Sequence, residues 1–140
     1  MKPQTLARLD LLAADRERRI LEDIRAQQAT LAQVAQQRSV LAAYRARLSG
    51  TWRGGEAVRA DQARSAGHFV TASQAADTQI DQMEARAHQL LASALATLAT
   101  TKAHRRSLEV ARAKAARMQE QIITRQQERA LPVRIRTAPP

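Results

Sequence analysis

The chain has 140 residues, no cysteine, three aromatic residues and a formal net charge of +10 with an isoelectric point near 11.5. Thirty alanines, twenty arginines and fifteen glutamines stand beside single copies of Tyr44, Trp52 and Phe69. Buried rings each remove roughly 150–250 Å² from water, so a sheet or sandwich core has little to be built from here. The lack of cysteine excludes disulfides, thiolate metal sites and thiol nucleophiles. Ala, Arg, Gln, Leu and Glu favour helix, and one elongated all-α domain is predicted.

From the N-terminus, Met1 to Asp10 contains no apolar h-region of a signal peptide. Lys2-Pro3 suits the first turn of a helix, because a proline there gives up an N–H that has no intrahelical partner. No glycine or proline follows until Gly50, which predicts helix 1 over about residues 5–49. Ile20, Ile24, Gln27, Leu31, Val34, Arg38, Leu41, Arg45 and Leu48 alternate in steps of four and three, the mark of a heptad seam. Leu6, Leu9, Leu12 and Ala13 form a looser stripe ahead of it.

All four glycines (Gly50, Gly54, Gly55 and Gly67) fall in one stretch, predicting a hinge over about residues 50–70. Helix 2 then runs over about 71–130. Its seam reads Ile80, Met83, Ala87, Leu90, Ala94, Thr97, Thr101, His104, Leu108, Ala111, Ala115, Met118 and Ile122, widened by Leu91, Leu95 and Leu98. Leu131-Pro132 stops it, leaving an extended tail over 131–140. The longest stretch without Asp, Glu, Lys or Arg is Ala87–Thr101, too short and too polar to cross a bilayer. No membrane insertion is expected, and a cytoplasmic protein is.

Charge order selects the pairing. Asp10, Asp15, Glu17, Glu22 and Asp23 open the first helix and Arg38, Arg45 and Arg47 close it. The second helix begins with Asp77, Asp81 and Glu84 and continues with Lys102, Arg105, Arg106, Arg112, Lys114 and Arg117. Folding back near residue 60 sets Arg38 beside Asp81 and Asp15 beside Arg105. Parallel copies of either helix would align like charges instead. The expected fold is a long two-helix antiparallel coiled-coil hairpin.

Chemistry has little support. Asp77, Asp81, Glu84 and His88 share a helical face and could ligate a divalent metal, but they flank the seam where Arg38 and Arg45 would meet them. Neither His68 nor His104 forms a metal pair, and His104 falls on the seam. No phosphate-binding loop or nucleophile elbow is present. The chain is expected not to be an enzyme, with no metal, catalytic residue or cofactor. A high arginine content invites nucleic acid, but aromatic stacking platforms are scarce, so nucleic acid is not the expected partner. Trp52 and Phe69 either close the hairpin by packing on each other or form an apolar tip for a partner.

A basic, cysteine-free, Gln/Ala/Arg-rich hairpin built from Leu6–Leu48, a Gly50–Gly67 hinge and Ile80–Ile122 resembles the central-stalk proteins of type III secretion ATPases, the flagellar FliJ-like and injectisome YscO/SctO-like families. The resemblance implies a hairpin like the coiled coil of the rotary ATPase gamma subunit. It implies insertion in a hexameric secretion ATPase ring, promotion of ring assembly and activity, a link to an export-gate protein, and secretion chaperones as further partners. It places the protein at the base of a membrane-embedded secretion apparatus. By analogy with the gamma subunit, the end carrying Arg112, Lys114, Arg117, Arg125 and Arg129 would enter the ring, and Trp52 and Phe69 would meet the gate. The alternatives are a basic coiled coil that binds nucleic acid, and an export chaperone or structural rod.

Overall fold

The computed structural model describes the backbone of residues 2–53 and 60–131; the side chains of 51–53 are outside the description. It is an all-α helical hairpin of two long helices that pack against each other: α1, Pro3–Arg53, and α2, Ala60–Ala130. No strand occurs among the described residues. Pro3 is the first residue of α1, and the Lys2 carbonyl accepts from the N–H groups of Thr5 and Leu6 at 3.0 and 3.2 Å. At the other end of the chain Leu131 N–H donates to the Gln127 carbonyl at 2.9 Å, closing α2 just before Pro132. Asp61 in the first turn of α2 and Arg129 in its last both complement the helix dipole.

Both helices are longer than the glycine content suggests. Gly50 lies inside α1 and Gly67 inside α2, so residues 50–53 and 60–70 of the predicted hinge are helical, and its remaining residues, 54–59, lie outside the described ones. Glycine weakens a helix interior by only about 1 kcal/mol, which the Ala- and Arg-rich neighbours offset. A Cβ at either glycine would meet nothing within 4 Å. Gly50→Ala and Gly67→Ala are therefore each expected to stabilise the protein by about 0.5–1 kcal/mol in a urea titration. A loss of stability in either would show that position to need glycine.

The chain divides into two compact units, Met1–Arg19 with Leu98–Pro140, and Ile20–Thr97. In the first, Leu6, Ala13 and Leu108 are buried together, with Leu9, Ala111 and Ala115 packed against them. Leu12, expected to share the stripe with Ala13, is 62% exposed. A step from Leu6 or Leu9 to Ala13 stays on one helical face, whereas Leu12 points a quarter-turn away. In the second unit Ile24, Val34, Ile80, Ala87 and Ala94 are buried, Val34 most completely at 2%.

The seam of α1 runs as its spacing predicts: Ile20, Ile24, Gln27, Leu31, Val34, Arg38, Leu41 and Leu48 are all at least partly buried, and only Arg45 is exposed. From Ile80 to His104 the seam of α2 is out of phase at every second position, and at Ala111 it returns to the predicted face. Met83, Leu90, Thr97 and His104 are exposed, and their neighbours Glu84, Leu91, Leu98 and Arg105 face inward instead. Hydrophobicity favoured Met83 over Glu84 and His104 over Arg105. Pairing reverses that choice, because Glu84 and Arg105 find opposite charges across the hairpin. His104 is therefore a surface residue rather than a seam residue.

Candidate functional site

Four arginines join the helices. In the second unit Arg38 binds Asp81, at 2.7 Å from Nη2 to Oδ1, and Glu84, whose Oε2 also accepts from Nε at 3.1 Å. Its own seam position brings the guanidinium under both carboxylates, which lie three residues apart on one face of α2. Those two hydrogen bonds, Asp81 first, raise the Arg38 pKa above the ordinary arginine value. Two turns towards the end of α1, Arg45 donates from Nε to the Ser73 hydroxyl at 2.7 Å and also binds Asp77. Ser73 is buried, 4% exposed, and this arginine is what satisfies it.

In the terminal unit the roles of the helices are exchanged. Arg105 of α2 reaches Glu17 at 2.7 Å and Asp10 at 3.3 Å, acids seven residues apart on α1. Its pKa is raised, chiefly by Glu17 and then by Asp10. Arg112, seven residues further along α2, shares Asp10 at 3.4 Å. Asp15 does not meet Arg105, contrary to the charge-order expectation. It accepts from Arg18 at 2.8 Å and lies 3.0 Å from Arg19, both within its own helix, and those arginines hold its carboxyl below the usual range. At about 100° per residue, Asp10 and Glu17 lie within about 20° of each other around α1, while Asp15 lies roughly 140–160° from both, on the far side of the helix.

The carboxylates weighed as a metal site are occupied with arginine. Asp77, Asp81 and Glu84 serve Arg45 and Arg38, and His88 sits 3.7 Å from Glu84 on the exposed side. Among the described residues no cluster of three or more His, Asp or Glu side chains is placed to hold a metal ion. No helix among them is long and apolar enough to cross a membrane.

The basic candidates lie on the last turns of α2. Arg112 is half-exposed and tied to Asp10, and Lys114, Arg117, Arg125 and Arg129 are exposed. Every residue from Ala116 to Leu131 is exposed. At the hinge side, Phe69 stacks on Tyr44 with ring centroids 4.7 Å apart and planes tilted by 37°. Tyr44 has no place in the seam spacing, so only the spatial pairing of the helices reveals it. Leu48, Ala63, Ala66, Gly67, Phe69 and Val70 line an apolar groove of about 480 Å³ beside that stack. The side chain of Trp52, the other ring assigned to this region, lies outside the described residues.

Comparison with family models, with curated proteins and with solved structures finds no match.

Proposed function

We propose that the protein is a non-enzymatic coiled-coil stalk of a type III secretion ATPase complex. In this reading it inserts into the hexameric ATPase ring, promotes its assembly and activity, and links it to an export-gate protein, with secretion chaperones as further partners. It would act in the cytoplasm at the base of the secretion apparatus. The observation that carries the reading is a helical hairpin whose charge is divided unevenly. Met1–Arg19 with Leu98–Pro140 hold fifteen basic and six acidic residues, net +9, while Ile20–Thr97 hold eight and seven, net +1. A basic terminal unit favours approach to an acidic pore through long-range attraction, which salt weakens as the Debye length shortens to about 8 Å at 0.15 M. The hinge side instead offers the Tyr44–Phe69 stack and its apolar groove, the kind of surface that anchors a protein partner.

The test is stimulation of a hexameric secretion ATPase by the purified chain and by two variants. Arg117, Arg125 and Arg129 changed together to Glu should abolish stimulation and leave gate binding intact. Arg112 is spared because it binds Asp10 and its reversal would also disturb the hairpin. Trp52→Ala with Phe69→Ala should do the reverse. Loss of stimulation in the hinge variant alone would turn the orientation around. Nanomolar nucleic-acid binding at physiological salt with a steep salt slope, and no stimulation, would instead favour the nucleic-acid reading, which the +10 charge motivates.

A further inference from the structure

In both units, arginines at or beside the contact face of one helix meet carboxylates of the other. Arg38 meets Asp81 and Glu84, Arg45 meets Asp77, Arg105 meets Asp10 and Glu17, and Arg112 meets Asp10. The contact face of α2 does not end where α1 does. Beyond Leu108, Ala111 and Ala115, which pack on Leu6, Leu9 and Ala13, the same four-and-three spacing continues through Met118, Ile122, Arg125 and Arg129. Met118 is 56% and Ile122 48% exposed. Arg125 and Arg129 form no ion pair among the described residues. The acids of this segment, Glu120 and Glu128, line a groove with Arg117, Gln121, Thr124 and Arg125, in which neither acid comes within ion-pair distance of Arg125.

We propose that this face of α2, over Ala115–Arg129, docks an acidic amphipathic helix of another protein, which takes up the line that α1 leaves at Pro3. The chemistry repeats what the hairpin does within itself. Apolar residues of the incoming helix cover Met118 and Ile122, and its carboxylates answer Arg125 and Arg129 as Asp81 and Glu84 answer Arg38. A second copy of this chain fits less well. Ala115, Met118, Ile122, Arg125 and Arg129 contain no carboxylate, so two such faces brought together would confront the arginines with apolar groups or with each other. A phosphate backbone would satisfy the arginines and leave Met118 and Ile122 uncovered. The proposal concerns the chemistry of the docked helix and holds whether or not its owner is a secretion ATPase.

The probe is a labelled peptide of residues 74–91 of this chain, which carries Asp77, Asp81 and Glu84 beside Ile80, Ala87 and Leu91. Fluorescence anisotropy with the full-length protein should show saturable binding that weakens as salt is raised. Arg125→Glu with Arg129→Glu should weaken it at least about tenfold, as should Met118→Ser with Ile122→Ser. A peptide with Asn and Gln in place of its three acids should lose a similar factor. Circular dichroism of each variant verifies that the hairpin persists, as expected for substitutions at exposed positions. Peptide binding unchanged by the overhang variants would overturn the proposal, since it would report invasion of the hairpin elsewhere. Equal binding of the peptide without its acids, or a dimer in sedimentation equilibrium that Met118→Ser with Ile122→Ser dissolves, would overturn it too.

Discussion

Leu108→Ala is expected to destabilise the protein by about 2–3 kcal/mol, and Leu12→Ala by less than about 0.5 kcal/mol. Both substitutions remove the same atoms from a helix. Leu108 is 6% exposed and packed among Leu6 and Ala13, while Leu12 is 62% exposed. The lower end of the range for buried leucine applies because a two-helix interface can close partly over the gap. Alanine also has the higher helix propensity, which offsets a few tenths of a kcal/mol in both variants. Urea titrations followed by circular dichroism would measure the difference. Equal losses at the two positions would mean that α1 is rotated from the face described.

That pair of leucines shows what the sequence could and could not disclose. The seam of α1 was readable because its apolar residues are large and separated by charge, leaving one face to choose. In α2, Leu90-Leu91 and Leu95 with Leu98 offer several faces of similar hydrophobicity. Alanine at 87, 94, 111 and 115 adds little to distinguish them. The choice is made by Glu84 and Arg105, whose inward positions depend on Arg38, Asp10 and Glu17 and so on a register that only pairing reveals. Arg38 beside Asp81 was predictable from charge order. Asp15 was not, because Arg18 and Arg19, three and four residues on in its own helix, take it up. The glycines misled for a related reason: a single glycine costs too little to break a helix whose neighbours all favour it. At the candidate site, the basic run after Arg112 was evident from composition. The stack of Phe69 on Tyr44 was not, because Tyr44 stands off the seam spacing of α1.

Val34→Asn is expected to destabilise the protein by about 3 kcal/mol. Val34 is 2% exposed, the largest fully buried side chain described. Removing its apolar burial costs about 1.5 kcal/mol or more. An amide placed there without partners adds about 1–3 kcal/mol. Asparagine is the informative choice. Aspartate at 34 would sit four residues before Arg38 in the same helix and could draw that guanidinium away from Asp81 and Glu84, mixing two effects. Val40→Asn is the matched control, because Val40 is 58% exposed and valine and asparagine have similar helix propensities. Proteins are stable by only about 5–15 kcal/mol, and an interface built largely of alanine belongs towards the low end, so the Val34 variant should melt many degrees below its control. Melting that coincides for the two variants would place Val34 outside the interface, and with it the register that brings Arg38 to Glu84.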